Sequence, residues 1–360
     1  MSDVEIIGLS KDFGSFVAVE SVSTIFREGT VTVLLGPSGC GKTTLMRMIV
    51  GLEKPTAGQV LIAGEDVTRV ATSKRRIGIV FQYPVVYRGT NVARNLELPL
   101  IADKVSKAER KKRIDEVAEI MGITDLLQVN VDKLDNAGRQ KVAVAREVAR
   151  QPEVLLFDEP ITNVDLTSKL ELKRALKSVF KELRQTIIYV THDQTEAMSL
   201  ADDIALMNNG KIVQLAPPSV LYNEPADVFA GWFLGNPGMN FLRDSFVIEQ
   251  GILTSPFLSA PVRVVGDASE ALVLGIRPEH IGASAEPNSN SVEVAVKSRS
   301  ISIGGQALLE LELGGHEFKA VVDHGSGKKM TDRAWMTLPP SKIFLFDSEG
   351  RAIASTLSDG

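Results

Sequence analysis

Two patterns of hydrophobic residues divide the chain. Over about the first 235 residues, apolar runs such as Val31–Leu35, Val154–Phe157 and Thr186–Val190 alternate with stretches of helical periodicity. Short apolar runs that alternate with helices are typical of βαβ units around a buried parallel sheet. This pattern predicts an α/β domain over residues 1–235, in which about residues 91–150 form a mainly helical subdomain.

The pattern changes in the rest of the chain. From about residue 236, short strand-like segments are interrupted by Gly, Pro, Asn and Ser, and Gly235-Asn236-Pro237-Gly238 has the composition of a linker. Gly314-Gly315, between two of these segments, predicts a hairpin turn. Because short strands at regular spacing are typical of small barrels or sandwiches, we expect an all-β domain over residues 236–360.

Composition and charge exclude several classes of protein. The 360 residues suffice for about two domains, and 44% hydrophobic with 24% charged residues is ordinary for a globular protein. The net charge of −5 argues against nucleic acid as the main partner. No apolar run approaches the roughly 20 residues of a membrane helix, and the single cysteine, Cys40, cannot form an internal disulfide. We therefore expect a soluble protein that needs a partner for any work at a membrane.

A phosphate-binding pattern follows the first of the apolar runs. Residues 36–43 match G-x-x-x-x-G-K-[ST] and lie between a predicted strand and a predicted helix. In such a loop the glycines let backbone N–H groups surround phosphates, and the helix N-terminus adds donors. Lys42 is expected to neutralise the β/γ-phosphates and Thr43 to bind Mg²⁺. The predicted nucleotide-binding residues of this loop are Gly36, Pro37, Ser38, Gly39, Cys40, Gly41, Lys42, Thr43 and Thr44.

Polar residues also follow three other apolar runs. Asp158 ends one run opposite the phosphate loop, where a carboxylate suits Mg²⁺, and Glu159 is a candidate to orient or deprotonate the attacking water. His192 follows a second run and is a candidate contact to the γ-phosphate, although a lone histidine is more often structural. Gln82 follows a third run and is a neutral candidate for sensing metal and water. The predicted catalytic residues are Lys42, Gln82, Glu159 and His192, and the predicted metal ligands are Thr43, Gln82 and Asp158.

The order of these motifs resembles that of an ABC-transporter ATPase. In the terms of that family, the elements are Walker A at 36–43, the Q-loop at Gln82, Walker B with the catalytic glutamate at Asp158-Glu159, the D-loop at Thr162-Asn163-Val164-Asp165 and the H-loop at Thr191-His192-Asp193. Phe13 resembles the aromatic residue that stacks on adenine. Residues 275–280 and 343–347 resemble the C-terminal TOBE-type domain of ATPases from carbohydrate importers of the maltose and glycerol-phosphate kind.

The resemblance implies a fold, a function and a set of partners. The fold would be an α/β P-loop ATPase with a helical subdomain, followed by a small OB-like, TOBE-type β domain. The protein would bind ATP and Mg²⁺ and hydrolyse ATP to power uptake of a sugar, a polyol such as glycerol, or glycerol 3-phosphate. It would lie at the cytoplasmic face of the cell (inner) membrane, bound to permease subunits and indirectly served by a solute-binding protein.

One motif departs from the family pattern. Where the family has the signature L-S-G-G-Q, this chain has Leu134-Asp135-Asn136-Ala137-Gly138. In the family this loop grips the γ-phosphate bound on the opposite subunit of a dimer. A carboxylate about 4 Å from a phosphate charge would be repelled by about 4 kcal/mol at an effective dielectric constant near 20. Asp135 or Asn136 is also a suitable N-cap, and a self-capped helix offers no anion site. We therefore expect a heterodimer with a second, different ATPase subunit that has an intact signature.

Three alternatives remain open at this level. The altered signature would also suit a largely non-hydrolysing ATP-binding scaffold, although Glu159 and His192 argue against it. An ABC ATPase acting on nucleic acid would be expected to have a coiled-coil insertion or a second cassette, and the sequence has neither. The apolar segment Tyr83–Tyr87 is either buried core or, as the resemblance implies, part of a groove that receives a permease helix.

Overall fold

The structure is a computed structural model that describes residues 3–162, 164–182, 185–243, 245–302 and 304–359. Its contacts divide the chain into two compact units, Met1–Pro218 and Ser219–Gly360. Within the described residues, no helix is both long enough and apolar enough to cross a lipid bilayer.

The first unit alternates strands and helices, as its hydrophobic pattern predicts. Its strands are β1 (Val4–Asp12), β2 (Val17–Phe26), β3 (Val31–Leu35), β4 (Ala57–Ile62), β5 (Glu65–Asp66), β6 (Ile77–Val80), β7 (Val154–Asp158), β8 (Thr186–Thr191), β9 (Asp203–Asn208) and β10 (Lys211–Ala216). Its helices are α1 (Lys42–Val50), α2 (Val92–Ala102), α3 (Lys107–Ile120), α4 (Asn136–Arg150), α5 (Leu166–Glu182) and α6 (Gln194–Leu200). Helices α2, α3 and α4 occupy most of the segment predicted to be a helical subdomain.

The central sheet of this unit is mainly parallel. In the described part of the chain its strand order is β10-β9-β3-β8-β7-β6, and only β10 runs antiparallel to its neighbour. Every residue of β3, β7 and β8 is buried, which explains why these strands are continuous apolar runs instead of alternating ones. A separate antiparallel sheet has the order β2-β1-β4-β5.

The register of the parallel strands brings their carboxyl ends to one edge. Leu35 at the end of β3 pairs with Thr191 at the end of β8, and Asp158 at the end of β7 pairs with Val190. Neighbouring strands lie about 4.8 Å apart. The residues that follow these strands therefore emerge side by side, which is where open α/β sheets bind their ligands.

The second unit consists mainly of short antiparallel strands. Helix α7 (Pro218–Asn223) starts at the boundary and is followed by α8 (Val228–Phe233), β11 (Asn240–Arg243), β12 (Val247–Glu249), β13 (Ile252–Thr254), β14 (Val262–Val265), β15 (Val273–Ile276), β16 (Gly282–Ser284), β17 (Val292–Ile301), β18 (Ala307–Leu313), β19 (His316–Val322), α9 (His324–Gly327), β20 (Arg333–Thr337), β21 (Ile343–Phe346) and β22 (Thr356–Asp359). These strands form sheets of order β11-β15-β21, β12-β13-β14-β22 and β16-β20-β17-β18-β19. Gly314 and Gly315, with φ of 59° and 83°, make the predicted hairpin turn between β18 and β19.

The boundary between the two units lies after Pro218, whereas the composition of residues 235–238 predicts a boundary near residue 235. Arg277, which is 1% exposed within the second unit, contributes to the contacts of residues 219–235 with this unit. Its guanidinium donates to the carbonyl oxygens of Tyr222 at 3.0 Å and Leu234 at 2.5 Å, and it lies 3.6 Å from the centroid of the Tyr222 ring. These bonds fasten residues 219–235 to the β sheets of the second unit.

We expect Arg277→Met to destabilise the second unit. Methionine fills similar volume but leaves the carbonyl oxygens of Tyr222 and Leu234 without their charged donor. Hydrogen bonds to charged groups contribute about 1.5–3 kcal/mol each, so the free energy of unfolding should fall by about 3 kcal/mol.

Both tryptophans of the chain, Trp232 and Trp335, lie in this unit, so denaturant titration followed by tryptophan fluorescence reports on it. Arg263→Met on β14 is the matched control, because Arg263 is exposed. Equal stability of the two variants would contradict this role of Arg277.

Candidate ATP-binding site

The glycines of the phosphate loop permit contacts that a side chain would prevent. A Cβ atom at Gly36 would lie 2.3 Å from the carbonyl oxygen of Met207. Gly41 has φ of +104°, and a Cβ atom there would lie 2.3 Å from the carbonyl oxygen of Ala18. The loop between β3 and α1 can therefore follow this path only with glycine at these positions.

No side chain caps the first turn of helix α1. Its N-cap, Gly41, provides no side-chain hydrogen bond to the first turn. In α2, α3, α4 and α6, by contrast, the N-cap side chain accepts from a first-turn N–H; these caps are Asn91, Ser106, Asp135 and Asp193. The first turn of α1 thus keeps its donors and its positive dipole end for another acceptor, which fits a phosphate group.

Lys42 places a positive charge inside this loop. It is 5% exposed, and its Nζ donates to the carbonyl oxygens of Gly36 at 2.8 Å and Pro37 at 2.9 Å. The Sγ of Cys40 lies 3.7 Å from the same Nζ. Burial raises the pKa of the Cys40 thiol more than Lys42 lowers it, so the thiol is neutral at physiological pH.

The predicted metal ligands Thr43 and Asp158 face each other. The hydroxyl of Thr43 lies 3.4 Å from Oδ1 of Asp158 across the edge of the sheet. Asp158 is 8% exposed, and burial raises the pKa of its carboxyl, opposed in part by the charge of Arg47. A bound cation would offset this desolvation of the carboxylate.

Glu159 and His192 form a direct pair. Nδ1 of His192 lies 3.1 Å from Oε1 of Glu159, and the hydroxyl of Thr162 donates to Oε2 at 3.2 Å. Glu159 has φ of 45°, a conformation that is uncommon for a residue with a side chain, and its N–H donates to the carbonyl oxygen of Val190 at 3.0 Å. Strain of this kind concentrates at functional sites. Asn163, part of the predicted D-loop, lies outside the described residues.

Two predicted site residues stand apart from these contacts. Gln82 is half-buried just beyond β6. The ring of Phe13 is 46% exposed and packs against Phe16 with centroids 5.3 Å apart. Among the described residues, neither Phe13 nor Gln82 is hydrogen-bonded to another predicted site residue. The binding and catalytic roles of all the predicted site residues stay predictions.

The altered signature loop ends in a closed helix cap. Oδ1 of Asp135 accepts from the N–H of Gly138 at 2.7 Å, so Asp135 is the N-cap of α4 and Asn136 is its first residue. The sequence left open whether Asp135 or Asn136 is the N-cap, and in the structure it is Asp135. The Asp135 carboxylate thus takes one first-turn N–H of α4, whereas no side chain caps the first turn of α1.

Sequence reasoning missed a buried network behind His192. Its centre is Glu196 in α6, which contacts Lys169 in α5 at 3.0 Å. Asp193-Gln194-Thr195-Glu196 has the spacing of a capping box, a signal that could have drawn attention to Glu196. Its partner Lys169 is 27 residues away in the sequence, and no local pattern connects the two.

With this geometry in view, comparison with known proteins identifies the family. A family model described as ABC transporter matches residues 19–162. The chain is 36% identical to the xylose/arabinose import ATP-binding protein of Haloferax volcanii, over 100% of this chain and 97% of that protein. It is 33% identical to an sn-glycerol-3-phosphate import ATP-binding protein of Agrobacterium fabrum, over 96% of this chain and 93% of that protein. The chain belongs to the ABC transporter family.

Solved structures confirm the ATPase fold. The ABC protein cbiO1 of Clostridium perfringens, part of a transporter complex, matches with a TM-score of 0.57 and 27% identity, over 61% of this chain and 90% of that chain. A dimeric ATP-binding cassette with bound ADP and Pi matches with a TM-score of 0.53 and 28% identity, over 60% of this chain and 98% of that chain. The expected P-loop fold followed by a largely β region, and the ATPase class, are confirmed, whereas the TOBE assignment stays a prediction.

We expect Asp135→Ala to open the first turn of α4. Loss of an N-cap lowers helix stability by about 1 kcal/mol, whereas Asp135→Ser should preserve it because serine caps comparably well. The measurement is hydrogen exchange of the peptide that covers the start of α4, which should be faster in the alanine variant alone. Asp115→Ala, at an exposed position of α3, is the control. Unchanged exchange in Asp135→Ala would contradict the capping role.

Proposed function

We propose that this ABC ATPase is the ATP-hydrolysing subunit of an importer for a carbohydrate-type solute, and that it works with a second, different ATPase subunit. The observation that supports it most directly is the Glu159–His192 contact of 3.1 Å beside the open N-terminus of α1. It provides a candidate base and a candidate γ-phosphate contact at the same sheet edge as the phosphate loop.

The nucleotide would be held by backbone donors and by Lys42. The N–H groups of the loop and of the first turn of α1 would bind the phosphates, and the Lys42 ammonium would transfer its bonds from the loop carbonyls to them. Phe13, exposed at the surface, would stack on the adenine.

Thr43, Gln82 and Asp158 would hold Mg²⁺, which in such sites neutralises charge on the β- and γ-phosphates. Among the described residues there is no cluster of three His, Cys, Asp or Glu residues that could hold a metal ion. The predicted set contains a single carboxylate. It fits Mg²⁺ bound mainly through phosphates and water, because Mg²⁺ commonly uses one or two carboxylates together with substrate phosphates.

Glu159 would orient and deprotonate the attacking water, while His192 holds Glu159 in place and contacts the γ-phosphate. The hydroxyl of Thr162 fixes the second oxygen of the Glu159 carboxylate. Retention of this arrangement argues against the non-hydrolysing scaffold. The nucleic-acid alternative is disfavoured because several relatives of the chain are named for import of sugars and glycerol phosphate.

The proposal of a second ATPase subunit is based on the Asp135 cap of α4. In ABC dimers each nucleotide would lie between the Walker motifs of one subunit and the signature loop of the other. The signature loop of this chain presents Asp135, whose carboxylate occupies the N–H of Gly138. An intact signature from a different subunit would complete the site of this chain, whereas the site that faces Asp135 would bind nucleotide weakly.

The segment after Gln82 is the proposed contact with the permease. Tyr83, Val85 and Tyr87 are 69%, 52% and 47% exposed, so the alternative of a buried core segment is wrong. The guanidinium of Arg146 in α4 lies 5.2 Å from the centroid of the Tyr87 ring and donates to the carbonyl oxygen of Val85 at 2.8 Å. An apolar surface braced in this way suits a short helix of a permease at the cytoplasmic face of the membrane.

The class of solute rests on the relatives. A third relative, 35% identical over 98% of this chain and 100% of its own length, is the trehalose/maltose import ATP-binding protein of Thermococcus litoralis. Sugars, polyols and glycerol 3-phosphate are therefore the proposed cargo, delivered by a solute-binding protein and passed through the permease.

The decisive test of the second subunit compares ATPase rates. The chain alone should hydrolyse ATP slowly, and addition of a neighbour-encoded ATPase with an intact signature, together with the permeases, should raise the rate. Glu159→Gln should abolish turnover in the complex by removing the base. Replacement of Asp135-Asn136-Ala137 by Ser-Gly-Gly should activate the chain alone, because it removes the Asp135 charge that would repel the γ-phosphate; serine still caps α4 but carries no charge. Full activity of the unaltered chain alone would contradict the heterodimer.

Polar substitution in the exposed segment should separate uptake from hydrolysis. Val86→Ser and Tyr87→Ser are expected to lower solute uptake in vesicles by about tenfold, whereas ATP hydrolysis changes much less, because the substitutions remove apolar contact area with the permease. Arg69→Ser, at an exposed position after β5, is the surface control. Uptake that survives both substitutions would exclude this segment as the permease contact.

A further inference from the structure

We propose that Lys169 is a positioning residue of the ATPase site, which fastens the helix after the D-loop to the loop that carries His192. This inference rests on the proposed ATPase function. Lys169 lies in the first turn of α5, and its Nζ contacts Oδ2 of Asp193 at 2.9 Å and Oε1 of Glu196 at 3.0 Å. One ammonium therefore bridges two carboxylates of the H-loop region.

The carboxylate of Glu196 is buried and fully hydrogen-bonded. Its side chain is 2% exposed, and its second oxygen accepts from the hydroxyls of Tyr189 at 3.0 Å and Thr191 at 2.8 Å. Burial, reinforced by Glu196, holds the pKa of Tyr189 well above its ordinary value, so the phenol keeps the proton that it donates. Every oxygen of the Glu196 carboxylate thus has a donor, and Lys169 supplies the one positive charge among the three named donors.

The second carboxylate, Asp193, fixes the other side of the loop. Its Oδ1 accepts from the N–H groups of Thr195 at 2.8 Å and Glu196 at 3.1 Å, and its own N–H donates to the hydroxyl of Thr191 at 3.0 Å. His192 lies between Thr191 and Asp193, so both of its chain neighbours belong to the network that Lys169 closes. The imidazole itself extends out of the network to Glu159.

Lys169 is held in turn by the segment that begins at the D-loop. Its N–H donates to the carbonyl oxygen of Asp165 at 2.7 Å, one residue before α5. One turn further along the same helix, Nζ of Lys173 donates to the carbonyl oxygen of Thr195 at 3.1 Å. Lys169 and Lys173 therefore both attach the start of α5 to the segment around His192, and Lys169 is the one of these two that contacts a buried carboxylate.

The protonation states agree with this arrangement. Burial alone would lower the pKa of Lys169, but its bonds to Asp193 and Glu196 outweigh burial and raise it. Burial alone would likewise raise the pKa of Asp193, and the bonds to Lys169 and the backbone N–H groups lower it. The pair is charged at neutral pH, and a neutral residue at 169 would leave the buried Glu196 carboxylate without a countercharge, so that the loop would shift to find water or other donors.

The test substitutes Lys169 in the full chain, within the assembly in which the unaltered chain hydrolyses ATP. Lys169→Met is expected to lower kcat by about 10- to 100-fold, since displacement of a catalytic group by about 1 Å can cost this much. KM for ATP should change less than threefold, because Lys169 does not reach the phosphate loop. Lys169→Arg, which preserves the charge and both contacts, should recover most of kcat. Lys177→Met, at an exposed position of the same helix, is the control and should behave as the unaltered protein.

A second variant, Glu196→Gln, keeps the hydroxyl contacts but removes the charge that Lys169 neutralises, and it should also lower kcat selectively. It decides the question if Lys169→Met does not fold. Unchanged kcat in Lys169→Met or in Glu196→Gln, or an equal loss in Lys169→Arg, would overturn the positioning role. Absence of ATP hydrolysis in the unaltered assembly would instead refute the proposed function, so the two failures are distinguishable.

Discussion

The first turn of an α-helix leaves backbone N–H groups without partners inside the helix, and the first unit deals with this constraint in two opposite ways. Helix α1 follows Gly41, which has no side chain to offer, so its donors and dipole stay available for a phosphate. Helix α4 follows Asp135, whose carboxylate takes the N–H of Gly138. In an ABC ATPase these two helix ends belong to the two halves of a nucleotide site. On the proposed function, this chain would supply the half built on α1, and the Asp135 cap would weaken the half built on α4.

The candidate ATP site of this chain depends on the parallel sheet. Because β3, β7 and β8 are buried on both faces and are in register, the residues that follow them leave at one edge. The segments that carry Lys42, Asp158 and His192 are far apart in the sequence. They lie at the ends of β3, β7 and β8, which are neighbours in the sheet. The apolar core therefore brings the residues that follow these strands to one edge, where Glu159 contacts His192.

Much of this could be predicted from the sequence, because the features concerned are local. The phosphate loop, the polar residues at strand ends and the Gly314-Gly315 turn are each written in a few consecutive residues, and Asp135 could be proposed as a cap from its position alone. Contacts between distant segments could not. The bonds of Arg277 to Tyr222 and Leu234 join residues 219–235 to the second unit, which begins after Pro218. The packing of Arg146 of α4 against the Tyr87 ring joins residues that are 59 positions apart.

The same α4 connects the closed signature loop to the surface proposed for the permease. Gln140 of α4 donates to the carbonyl oxygen of Phe81 at 3.0 Å, next to Gln82, and Arg146 donates to that of Val85. The Asp135 cap at the start of α4 therefore coexists with contacts of the same helix to the segment around Gln82. On the proposed function, such a subunit would lose one half of a nucleotide site and keep the contacts between α4 and the proposed permease surface. This explains how an altered signature is compatible with a chain that keeps Glu159, His192 and an exposed Tyr83–Tyr87 segment.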